Sequence, residues 1–76
     1  MAKAYLKIVV EAGKEREVCS ALKRMQEVRS ADITTGDQDI IAVVEAPSYE
    51  ILLKTIVEKL RQISGVSSTS TSLVLD

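Results

Sequence analysis

Two polar patches in this chain carry residues able to hold a small charged molecule. The first is Thr34-Thr35-Gly36-Asp37-Gln38-Asp39. Gly36 admits the positive-φ backbone of a tight turn and leaves nearby N–H groups open to approach. Asp37 and Asp39 supply carboxylates that can pair with an ammonium group. The second patch is Ser67-Ser68-Thr69-Ser70-Thr71-Ser72, an unbroken run of hydroxyls. Strand alternation sends Thr69 and Thr71 to one face and Ser68, Ser70 and Ser72 to the other. Hydroxyls there can receive an α-carboxylate. Each patch also has a plainer account. Gly and Asp dominate ordinary turns, and Thr suits a solvated edge strand. On composition alone the turn account of the hairpin is the commoner one.

Other chemistry is poorly supplied. The chain has no His, which removes the commonest general base and the commonest metal ligand. Cys19 is the single cysteine, so no intrachain disulfide can form. With no His to activate its thiol, Cys19 reads as a small packing residue beside Val18. One Cys and no His do not make a zinc or copper ligand set. No catalytic residue, metal or cofactor is expected, and the chain does not read as an enzyme. Ten basic and eleven acidic residues give a net charge of −1, which does not draw phosphate backbones from a distance. Tyr5 and Tyr49 are the only aromatic residues, too few for a base-stacking sheet. Direct nucleic-acid binding is not expected. The apolar runs are too short to span a membrane and no signal-peptide pattern opens the chain, so a cytoplasmic location is expected.

The elements that must position the two patches follow from a doubled pattern. Val9-Val10-Glu11-Ala12 recurs as Val43-Val44-Glu45-Ala46, 34 residues later. Each copy closes an apolar run and leads into a helical pattern. The helices end near Met25-Gln26-Glu27-Val28 and Ile63-Ser64-Gly65-Val66, 38 residues apart. The second helix should therefore be about one turn longer than the first.

Ala4 to Val10 reads as a strand, with Leu6, Ile8 and Val10 on one face and Tyr5, Lys7 and Val9 on the other. Lys14 to Gln26 reads as a helix whose stripe is Val18, Ala21, Leu22 and Met25. Val28 to Thr35 is a half-polar strand in which Ala31 and Ile33 alternate. The Gly36 to Asp39 cluster makes a hairpin turn. Ile40 to Ala46 is a strand apolar on both faces, as in a strand covered on both sides. Ser48 is a candidate N-cap for a helix from Tyr49 to Ile63. Its stripe is Leu52, Leu53, Ile56, Val57, Leu60 and Ile63. Gly65 fits a C-cap, and Ser67 to Leu75 is the last strand.

The order strand, helix, strand, strand, helix, strand predicts an α+β, ferredoxin-like βαββαβ sandwich. Right-handed crossovers put both helices on one face of a four-stranded antiparallel sheet. The other face carries Tyr5 or Leu6, Val9 or Val10, and Ile41 or Val43, and reads as substantially apolar in either parity. A face of that kind marks an interface, and a 76-residue domain is too small to be stable without help. An oligomer, at least a dimer, is expected.

Read in this order, the chain resembles a known family. Thr35-Gly36-Asp37-x-Asp39-Ile40-Ile41 before the longer helix, then Gly65-Val66-x-x-Thr69-x-Thr71-x-x-Val74-Leu75, is similar to the RAM domain, the ligand-sensing domain of the Lrp/AsnC transcription regulators. The resemblance covers about residues 3–76. It implies a non-enzymatic module whose homodimers form through the sheets and assemble into rings. It implies that free amino acids bind between dimers as effectors. Carried over, Gly36 and Asp39 contact the ligand's polar end, Thr69 and Thr71 flank it, and Asp37 is adjacent. The position between the aspartates is often aromatic in the family and is Gln38 here. Family regulators also carry a helix-turn-helix module, for which Met1 and a strand beginning at Ala4 leave no room. The expectation is a single domain over residues 1–76 that modulates transcription by co-assembly with full-length Lrp/AsnC regulators. Two readings compete: a purely structural or partner-binding oligomer, and an ACT-like regulatory domain with its site at the turn near Gly13.

Overall fold

The computed structural model describes residues 1–75. Four strands and two helices alternate: β1 (Ala2–Val10), α1 (Glu15–Lys23), β2 (Val28–Ile33), β3 (Ile40–Ala46), α2 (Tyr49–Glu58) and β4 (Val66–Leu73). The strands form one antiparallel sheet in the order β2-β3-β1-β4. This is the α+β, ferredoxin-like arrangement the doubled pattern predicts.

The sheet has one settled parity. Ala2, Ala4, Leu6, Ile8 and Val10 of β1 and Ile40, Ala42, Val44 and Ala46 of β3 are all buried. They pack with Val18, Cys19 and Leu22 of α1 and Leu52 and Ile56 of α2 into one core. Cys19 is a packing residue, and its thiol donates to the Ala31 carbonyl at 3.5 Å. The pairs Tyr5–Val43 and Lys7–Ile41 show that these residues share the helix-free face. That face is less apolar than expected. Tyr5, Val9, Ile41 and Val43 form its centre, while Lys3, Lys7 and Glu45 interleave with them and Ser68, Ser70 and Ser72 line one side. Ile41 and Val43 are only partly covered in the single chain.

Several local signals act as expected. Glu15 and Glu17 lie in the first turn of α1, at the positive end of its dipole. The Ser48 hydroxyl accepts from the Ile51 N–H and caps α2. Other expectations are corrected. The extra turn of the second helical segment is not α-helix: α2 stops at Glu58, and a 3₁₀ turn over Leu60–Gln62 follows. On α2, Leu53 and Val57 are not core residues, being 44% and 49% exposed. Leu52, Ile56 and Leu60 at i, i+4 and i+8 face the sheet, and Thr55 takes the buried position beside them. In β2 a bulge between Val28 and Ser30 shifts the register, so Val28 and Ala31, three residues apart, both point inward. Ile33 is half exposed at the sheet corner.

Candidate functional site

The hairpin is closed by main chain. The Thr34 N–H donates to the Asp39 carbonyl at 2.8 Å, and the Thr34 hydroxyl donates to the Gln38 carbonyl at 3.2 Å. Gly36 sits at the tip with φ +108, a conformation other residues rarely adopt. Gly36 and Asp37 are exposed there.

Asp39 is engaged within the chain through both its main chain and its carboxylate. Its N–H donates to the Ile8 carbonyl at 2.9 Å. Its Oδ2 accepts from the Val10 N–H at 2.9 Å. The reason lies in the ladder. β3 begins at Ile40, so the last residue of β1 has no strand partner on that side. The carboxylate takes the place of the missing carbonyl, because a part-buried N–H needs an acceptor. Oδ1 has no protein donor among the described residues.

Thr69 and Thr71 lie on β4 opposite Ile8 and Leu6, which turns them to the helix side of the sheet. Thr69 is half-buried and Thr71 exposed. Ile8 pairs with Ile40 on one side and Thr69 on the other. Asp39 and Thr69 therefore belong to backbones two strand spacings apart, about 10 Å. Within one chain β1 stands between them. The structure places Gly36, Asp37 and Asp39 together at the hairpin and Thr69 and Thr71 together on β4. It does not gather the two groups around one point.

Two grooves open at the other end of the sheet. One, of about 270 Å³, is bounded by Arg29, Glu45, Glu27 and Ile51. The second, of about 230 Å³, shares Glu27 and Ile51 with it and continues along Lys54 and Lys59. Two ion pairs lie along them: Arg29 Nε to Glu45 at 2.8 Å, and Lys59 Nζ to Glu27 at 3.2 Å. A hydrogen bond from its own backbone amide, then the Lys59 ammonium, hold the Glu27 carboxyl below its ordinary range. No local sequence signal announced these pairs, whose members lie 16 and 32 residues apart. Among the described residues no group of His, Cys, Asp and Glu could hold a metal ion. No helix of the described residues is long and apolar enough to cross a membrane.

A four-stranded antiparallel sheet with two helices over one face places the chain in the ferredoxin-like α+β class. Residues 3–76 match the family model of the Lrp/AsnC ligand binding domain, and the chain belongs to that family. An uncharacterised HTH-type transcriptional regulator of Pyrococcus furiosus is 37% identical over 71 residues, 93% of this chain and 48% of the relative. The crystal structure of FFRP-DM1 superposes with a TM-score of 0.95 at 37% identity, covering 99% of this chain and all of that one. Escherichia coli AsnC superposes with a TM-score of 0.91 at 26% identity, covering 99% of this chain and 51% of that one. The chain spans about half the length of the curated relatives it matches. Those relatives are transcription regulators, and what they share with this chain is a regulatory ligand-binding domain, not an enzyme.

Proposed function

We propose that this domain is an amino-acid sensor that works as an oligomer and modulates transcription by co-assembling with full-length Lrp/AsnC regulators. A free amino acid is the effector, and no cofactor takes part. Gly36, Asp37 and Asp39 take the ammonium end. The Thr69 and Thr71 hydroxyls take the carboxylate, together with N–H groups near Gly36. The observation that carries this reading is the family match over residues 3–76 together with a half-used Asp39. One carboxylate oxygen is committed to Val10 and the other is available for a ligand.

The separation of the hairpin from Thr69 and Thr71 adds a condition. With β1 standing between them inside one chain, the two halves of its site come from different copies. Ligand binding and assembly then depend on one another. The copies pair first through the helix-free sheet face, and the dimers join into a ring. With its charge of −1 the domain does not bind DNA alone.

A thermal-shift screen of the twenty amino acids, with mass measured in solution, tests this. One or a few should raise the melting temperature and change the oligomer population. Asp39→Asn keeps an oxygen for Val10 but removes the charge. A charge-assisted hydrogen bond is worth about 1.5–3 kcal/mol, so affinity should fall about ten- to a hundred-fold with little loss of stability. If an amino acid binds and Asp39→Asn leaves its affinity intact, the site is elsewhere. If none binds, the domain is a structural oligomer.

A further inference from the structure

The two grooves at the end of the sheet share Glu27 and Ile51 and so make one trough beside α2. Ile51, Thr55 and Glu58 line it at i, i+4 and i+7, which is one stripe of the helix. From Ile51 to Glu58 that wall is about 10 Å long. The first groove continues it past Pro47 to Met1. The rest of the lining comes from the chain entering β2, Gln26 to Arg29.

The trough is apolar at its middle and charged along its sides. Ile51 stands half exposed where the two grooves meet. The charges are unevenly placed. The first groove holds two carboxylates, Glu27 and Glu45, and one guanidinium. Arg29 bonds Glu45 through Nε, which leaves the outer N–H groups of its fork for another acceptor. The second groove holds two ammonium groups, Lys54 and Lys59. Lys59 is engaged with Glu27, while Lys54 forms no ion pair among the described residues. Glu58 also lies there and also forms none.

We propose that this trough binds a short extended peptide of about three residues, with its ammonium end beside Glu45 and its carboxylate end beside Lys54. The first groove, with its surplus carboxylate, suits a cation, and the unpaired Lys54 suits an anion. The ammonium and carboxylate of a single amino acid share one carbon and cannot reach both ends. Three extended residues, at roughly 3.3 Å each, match the length of the α2 wall. A central aliphatic side chain then covers Ile51. The outer N–H groups of Arg29 donate to a peptide carbonyl. The trough lies at the opposite end of the sheet from the hairpin, so this site rests neither on Asp39 nor on an amino-acid effector.

Calorimetric titration of the full chain with trileucine tests this. Trileucine should bind at least about tenfold more tightly than triglycine, which has both charged ends but no side chains. N-acetyl-trileucine and trileucine amide each lose one charged end and should bind about tenfold more weakly than trileucine. Lys54→Gln should weaken trileucine to a similar degree and weaken trileucine amide no further, because both changes remove the same contact. Glu58→Gln should tighten binding, since it removes a carboxylate beside that of the peptide. Both positions are exposed, so the circular dichroism spectrum should not change. No heat of binding with trileucine at millimolar concentration overturns the proposal. Equal binding of triglycine overturns it, as does the reverse pair of signs at Lys54 and Glu58. Trileucine that moves the amide resonances of Thr34 to Asp39, and not those of Ile51 and Lys54, sits at the hairpin and overturns it too.

Discussion

Asp39 works through two oxygens. Oδ2 ends the β1 ladder by accepting from Val10, and Oδ1 accepts from no donor among the described residues. Stability and ligand affinity should therefore separate by substitution. Asp39→Ala leaves the Val10 N–H without an acceptor and should cost about 1–2 kcal/mol by urea denaturation. Asp39→Asn should cost less than half of that. Equal losses in the two variants would show that the charge, not the acceptor, matters to the fold. Glu27 sets a pH dependence. Its carboxyl is held below the usual carboxylate range in the folded state by its own backbone amide and by Lys59. A carboxyl of lowered pKa contributes stability above its unfolded pKa and loses it as pH falls through the folded value. The contribution is small, about 1 kcal/mol or less, because Lys59 is largely exposed. Between roughly pH 5 and 3 the unmodified protein should lose slightly more stability than Glu27→Gln. Parallel denaturation curves for the two across that range would remove Glu27 from the account.

At the scale of elements, the sharpest constraint is Gly65, which ends the second helical segment with φ +99. A Cβ there would meet Val18 Cγ2 at 3.0 Å and Lys14 Cβ at 3.1 Å. Gly36 has a similar φ but open space around it. Both substitutions to Ala strain the backbone by about 1–3 kcal/mol, and only Gly65→Ala also forces α1 outward. Its melting temperature should fall further than that of Gly36→Ala; equal shifts would mean that the core yields freely at Val18. These contrasts show what the sequence could reveal. The bounds of β3 and the Ser48 cap were legible because turn and cap signals act within a few residues. Gly36 and the hairpin were legible for the same reason. The bulge at Arg29 was not, because a partner strand sets it. Leu53 and Val57 fitted an apolar stripe that the narrow sheet does not fully cover. The link from Asp39 to Val10 spans 29 positions and has no local signature. Sequence motifs could suggest Asp39 and the Thr pair as one site, but they could not show that β1 lies between them.

For the whole molecule, the question is what covers the helix-free face. Tyr5, Val9, Ile41 and Val43 make its apolar centre. Lys3, Lys7 and Glu45 lie around them, with Asp32 on the same face through its pairing with Ile41. Apolar residues interleaved with charges of both signs make a face that can pair with its own image. Stacked face to face across a two-fold axis, two such sheets hide the aliphatic centre and let basic β1 residues approach the acidic residues of the partner. A domain of 76 residues gains from that what its own core lacks. The unmodified protein should be at least a dimer at micromolar concentration by light scattering. Val43→Lys puts an ammonium at the centre of the contact with no carboxylate directly opposite it. An unpaired buried charge costs about 3–5 kcal/mol, enough to weaken association a hundred-fold or more. The chain itself should still fold, because Val43 points away from the core formed by Val44 and Ala42. Glu50→Lys, at an exposed position of α2 on the other side of the sheet, should weaken the dimer far less. A stable monomer of the unmodified protein, or equal effects of the two lysines, would show that the apolar centre is not where the copies meet.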